Sequence, residues 1–130
     1  MREIKFRAWI FGGLDDDAKP FMEPISQIGW DGLGMDWIKW TTHDEYSIPG
    51  KECVLMQFTG LLDKNGTEIY EGDVVRWPHL SISGGEVYFN TEEACFVVSH
   101  RQHDDESWLD KGCEVIGNVH ENPELLKKEG

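Results

Sequence analysis

The chain has 130 residues, 39% of them apolar, with six Trp, six Phe, three Tyr and a formal net charge of −13. That is enough for one domain, or two very small ones, around an aromatic-rich core. Twelve scattered Lys and Arg against 25 Asp and Glu disfavour direct nucleic-acid binding, and no apolar stretch nears the roughly 18 residues of a membrane span.

Residues Glu3–Phe11 alternate, with Ile4, Phe6, Ala8 and Ile10 on one face and Lys5, Arg7, Trp9 and Phe11 on the other. Period two predicts a strand. Charges at every second or third position leave no uninterrupted apolar core of the kind a signal peptide carries. The acidic triplet Asp15-Asp16-Asp17 reads as a loop tip. Pro24 interrupts Phe21–Trp30, which predicts an edge strand or an irregular segment. In Met35–Trp40, Trp37 and Trp40 stand at helical spacing without a flanking helical pattern. The polar stretch Thr41–Gly50 marks a boundary, giving an N-terminal β/irregular subdomain over residues 1–50 and a C-terminal one over 51–130.

Leu55–Trp77 is the most informative stretch. Cys53–Thr59 alternates as a strand. Asn65-Gly66 tips the next turn, where positive φ carries little steric cost for Asn and Gly. Glu71-Gly72-Asp73 turns the chain again, into the strand Val74–Trp77, which Pro78 ends. The Gly84-Gly85 pair leads into a strand over Glu86–Asn90. Ala94–Ser99 and Glu114–Val119 are further strands, with a brief pairing at Trp108-Leu109. Asn122-Pro123-Glu124 starts a short helical turn. The sum is an all-β chain, and its closely spaced short strands predict a small SH3-like barrel in the C-terminal half.

Three blocks in order carry a family resemblance. They are Met1–Trp9; then Met56-Gln57-Phe58-Thr59-Gly60-Leu61 with Asp63-Lys64-Asn65-Gly66 and Glu68–Val75; then Glu114-Val115-Ile116-Gly117-Asn118 with Glu121–Leu126. In these the chain resembles the YopX protein family of phages and prophages. Leu62 stands where a polar residue is common, Ile10 and Phe11 make the first strand more apolar than usual, and residues 15–50 do not match. The resemblance implies a mostly-β protein encoded by a phage or prophage, for which self-assembly is plausible. The family has no established biochemical function, so it implies no catalytic residues and no cofactor.

The residues themselves offer few chemical constellations. Cys53, Cys95 and Cys113 are far apart with no C-x-x-C pair, against a disulfide framework or a zinc ribbon. They suit a reducing, cytoplasmic compartment, which the family resemblance would make that of a bacterial host. His100-x-x-His103-Asp104-Asp105-Glu106 has ligand chemistry, as does His43-Asp44-Glu45, but both stretches read as solvated acidic loops. There is no G-x-S-x-G elbow and no phosphate loop. In Glu71-Gly72-Asp73 the glycine suits the turn and Asp73 suits backbone amides nearby. Trp30, Trp37 and Trp40 are core residues or a protein-contact surface, since Trp is enriched at interface hot spots. The expectation is a non-enzymatic module that binds a protein partner or itself. The alternatives are an acidic inhibitor that mimics the charge of nucleic acid before a host enzyme, and a metal-dependent enzyme using His100 and His103.

Overall fold

Alternating residues build strands throughout a computed structural model, which describes residues 3–11, 19–30, 35–40, 48–49, 52–78, 82–100 and 106–126. The described elements are eleven strands and one 3-10 turn: β1 (Phe6–Ile10), β2 (Phe21–Trp30), β3 (Met35–Trp40), β4 (Ile48–Pro49), β5 (Cys53–Leu62), β6 (Glu68–Tyr70), β7 (Asp73–Trp77), β8 (Ile82–Asn90), β9 (Cys95–His100), β10 (Glu106–Trp108), β11 (Glu114–Asn118) and the turn Pro123–Leu126. The chain is mainly β, in two antiparallel sheets of order β4-β3-β2-β1-β5-β6 and β10-β9-β8-β7-β11. It divides into two compact units, Ile4–Gln57 and Phe58–Gly130 with Met1–Glu3, the division falling inside β5.

In the Ile4–Gln57 unit, β1 lies between β2 and the first half of β5, with Ala8 opposite Glu23 and Leu55, and Ile10 opposite Phe21 and Cys53. The face predicted to be apolar is the buried one. Ala8, Ile10, Ile38 and Cys53 form its core, with Phe21, Ile25 and Ile28 packed against it. Ile10 and Ile38, both fully buried, each contribute about 1.5–3 kcal/mol.

The segment with Pro24, read as an edge or irregular segment, is instead a ten-residue strand paired on both sides. Among the described residues the ladder to β3 begins at Ile25, and Pro24 is the register partner of Arg7 in β1. At that position the described β3 ladder does not call on the N–H that proline lacks.

In the other unit, β7 runs between β8 and β11, and its Val74 and Val75 are both fully buried. Val75 joins Ile69, Trp77, Val87, Val98 and Cys113 in the core, flanked by Leu61, Leu109 and Val115. Gly84 and Gly85, read as the approach to a strand, lie inside β8. A β-carbon on Gly85 would overlap the Ser99 carbonyl, and one on Gly84 the Val75 carbonyl. Neighbouring backbones come too close there for a side chain, so the glycines are strand residues.

The five-stranded order ends at β10 and β11, which share no ladder among the described residues. Both sheets are open, and the strand pairing does not close the SH3-like barrel expected for this half. The expected C-terminal helical turn is a single 3-10 turn, with the Leu125 amide bonded to the Asn122 carbonyl at 3.0 Å. Asn122 does not cap it as predicted. Its Oδ1 instead accepts from the Asn118 amide at 3.3 Å.

Candidate protein-contact site

Polar side chains are ready chemistry only where the backbone has not already claimed them. In the central segment it has claimed Thr59, Asp63 and Asp73. Thr59 is buried and donates its hydroxyl to the Ile69 carbonyl at 2.8 Å, while the same oxygen accepts from the Leu61 amide at 3.2 Å. It patches a bulge at Gly60, whose φ is 90°.

Asp63 is also buried. Its Oδ1 accepts from the Asn65 and Thr67 amides at 2.8 and 2.9 Å, and its Oδ2 accepts from Val115 at 2.9 Å. Burial alone would push its carboxyl pKa up. The three amides, helped by Lys64, outweigh that and hold it below the usual carboxylate range. A carboxylate tied down in this way is a structural clasp.

The second turn repeats the logic. Asp73 Oδ2 accepts from the Tyr70 amide at 2.8 Å. Gly72, at φ 85°, donates its N–H to Val87 and accepts from Val119, both at 2.8 Å. Glu71-Gly72-Asp73 is therefore turn geometry, as its residue types suggest.

Two of the cysteines are equally withdrawn. Cys113 is fully buried, and its Sγ donates to the Asp110 carbonyl at 3.2 Å. Burial, then the charges of Asp110 and Asp63, push its thiol up to about 11. Burial also raises Cys53. Neither is poised as a nucleophile.

The described residues hold no group of three or more His, Cys, Asp and Glu able to grip a metal. His100 ends β9, while His103, Asp104 and Asp105, and likewise His43, Asp44 and Glu45, lie outside the described residues.

Of the three candidate tryptophans, the described side chains are those of Trp30 and Trp37. Trp37 sits directly across the β2–β3 ladder from Gly29. Its indole fills the space a Gly29 side chain would take, with the Lys39 ammonium 5.7 Å from the ring centre. Trp37 is half-buried and reads as packing. Trp40 is the register partner of Ile25. Trp30 differs from Trp37, being 65% exposed.

Beside Trp30 is an open depression of about 280 Å³, with Ile4, Phe6, Ile25 and Ile28 in its lining. Ile4 is 64% exposed. Pattern reading put it on one face with Phe6, Ala8 and Ile10. β1 begins only at Phe6, so the alternation that buries Ala8 and Ile10 no longer governs Ile4. Two large apolar side chains thus stand in water at the rim of one hollow, whose lining also includes Lys5, Ser26 and Gln27, and exposed apolar side chains of this size are a feature interfaces use.

The YopX protein family model matches residues 29–127. That span starts inside the stretch read as unmatched, and it includes Trp30, Trp37 and Trp40. A similar solved structure is that of protein EF1440 from Enterococcus faecalis. It is 28% identical, covers 98% of this chain and 100% of its own, and has a TM-score of 0.62. No curated protein matches the chain.

Proposed function

Because the chain belongs to the YopX protein family, we propose that it works as a non-enzymatic protein-interaction or self-assembly module, encoded by a phage or prophage and active in the host cytoplasm. The exposure of Trp30 and Ile4 at the same open depression carries this reading. Leaving two such side chains in water forgoes a few kcal/mol of burial, which a contact would recover. Among the described residues, the Asp63 and Asp73 carboxylates are engaged in turns, in keeping with a binding role.

The test combines light scattering with capture of host proteins, on wild type and on Trp30→Ala. The reading expects either a mass above the monomer or a retained protein, diminished by the substitution. A strict monomer that retains nothing, or retains the same proteins with Trp30→Ala, overturns it.

The net charge of −13 favours a second reading, an acidic inhibitor that occupies the nucleic-acid site of a host enzyme. Its signature is competition with DNA for that enzyme, weakening as salt rises. Inhibition indifferent to salt and DNA sinks it.

A further inference from the structure

The chain has four asparagines, at positions 65, 90, 118 and 122. Three have occupied side chains. Asn90 Oδ1 accepts from the Glu92 and Glu93 amides, Asn118 Oδ1 from His120 and Glu121, and Asn122 Oδ1 from Asn118. They are followed by Thr91, Val119 and Pro123. Thr and Val crowd the next backbone nitrogen with a branched β-carbon, and Pro has no N–H at all.

Asn65 differs on each count. It is exposed, and among the described residues no hydrogen bond engages its side chain. It precedes Gly66, which has φ 84° and so much room that an added β-carbon would meet nothing within 4 Å.

We propose that Asn65 is a site of spontaneous deamidation, and that its product loosens the clasp between the Asp63 turn and β11. The Gly66 nitrogen, once its proton passes to a solvent base, attacks Asn65 Cγ. A C–N bond forms and the side-chain nitrogen leaves as ammonia. Water then opens the cyclic imide at either carbonyl, leaving aspartate or isoaspartate. The balance is water in and ammonia out, with no oxidant or reductant. The restraint is the Gly66 N–H, which donates to the Asp63 carbonyl at 3.1 Å. Reaction therefore proceeds from brief local opening of an exposed turn, an event available to surface turns without global unfolding.

Isoaspartate inserts a methylene into the main chain between residues 65 and 66. That lengthens the path between the Asn65 and Thr67 amides, which share Asp63 Oδ1 at 2.8 and 2.9 Å. The same carboxylate holds Val115 through Oδ2, so a chemical change at the turn tip reaches β11.

The full chain would be aged in mildly alkaline buffer made with ¹⁸O-water, then mapped by peptide mass spectrometry with isoaspartate resolved from aspartate. Label is expected at position 65 several-fold ahead of Asn90 and Asn118. The aged protein should unfold at lower urea than fresh protein, with no such change in aged Asn65→Gln. Freshly prepared Asn65→Asp carries the new charge without the methylene and should unfold close to wild type. Labelling of Asn65 no faster than Asn90 or Asn118 overturns the site. Accumulated isoaspartate with an unchanged urea midpoint overturns the link to β11.

Discussion

Asp63 and Val115 are joined by a 2.9 Å hydrogen bond from the Val115 amide to the buried Asp63 carboxylate. β11 is a terminal strand of its sheet, and a terminal strand offers unpaired backbone groups that need covering. The turn after β5 supplies the cover, since the Lys64 amide also donates to the Cys113 carbonyl at 3.0 Å. One carboxylate thus organises its own turn and seals the start of the last strand.

Asp63→Ala should destabilise the protein by about 2–4 kcal/mol, because it removes a buried carboxylate that three partly buried backbone amides now share. Asp63→Asn keeps one acceptor oxygen and should fall between alanine and wild type. Urea unfolding of the three proteins measures the order. An alanine variant as stable as wild type would remove Asp63 from its structural role.

The same residue sets a pH dependence. Its folded-state pKa lies below the ordinary 3.8, so the folded state binds this proton less readily than the unfolded state. The stabilisation is complete above the unfolded pKa and is lost as pH falls through the lower folded value. Wild type should therefore lose stability more steeply than Asp63→Asn below about pH 4, and the two should run parallel between about pH 5 and 7. Parallel curves throughout the acid range would refute the linkage.

Gly29 and Gly85 both lack room for a β-carbon, but their obstacles differ. At Gly29 the obstacle is the Trp37 indole, a side chain that can rotate. At Gly85 it is the Ser99 carbonyl, fixed in the β8–β9 ladder. Gly29→Ala should cost about 1–2 kcal/mol and shift tryptophan emission, while Gly85→Ala should cost about 3 kcal/mol or prevent folding. Thermal unfolding with fluorescence detection decides it. The reverse order would contradict the packing.

The three thiols should react in sequence. Cys95 is only half-buried, whereas Cys53 and Cys113 are buried. With a thiol pKa pushed up to about 11, Cys113 presents roughly one thiolate in a thousand at pH 8. Alkylation of the native protein, mapped by peptide mass, should mark Cys95 first and Cys113 last, and urea should erase the difference. Equal native rates at Cys95 and Cys113 would mean that the Cys113 pocket is open.

Legibility followed distance along the chain. The Asp63–Gly66 and Glu71–Asp73 turns were readable because Gly and Asp meet local backbone demands within a few residues. The strands from β5 to β11 were readable from alternation and punctuation. Asp63 to Val115 was not, because nothing at position 63 announces a partner 52 residues on. Pro24 misled because the staggered end of β3, invisible in sequence, decides whether its missing N–H matters. Gly84 and Gly85 misled for a related reason, since close approach of β7 and β9 is a property of the sheet. The tryptophans divide by register. Trp37 faces a glycine across a ladder with bulges on both sides, and Trp30 next to that glycine is left in water. A sequence cannot place bulges, so it does not show which of these two is left exposed.

Asn118 closes the last strand and sets the final test. It is 8% exposed. Its Oδ1 accepts from the His120 and Glu121 amides at 3.0 and 2.8 Å, and its Nδ2 donates to Glu121 Oε1 at 3.0 Å. Asn118→Ala strands two amides in a partly buried turn and should cost about 1–3 kcal/mol. Asn118→Asp keeps the acceptor for both amides and strengthens it with charge. It loses the donor and sets a carboxylate beside Glu121, but Glu121 is exposed, and water reduces that repulsion to about 1 kcal/mol or less. The aspartate variant should therefore be the more stable of the two at neutral pH. The gap should narrow in acid, as the introduced carboxylate protonates and becomes a weaker acceptor. Urea midpoints at about pH 7 and pH 4, on either side of most of that titration, provide the comparison. An aspartate variant weaker than alanine at neutral pH would show that the Glu121 contact, rather than the amide pair, holds the turn.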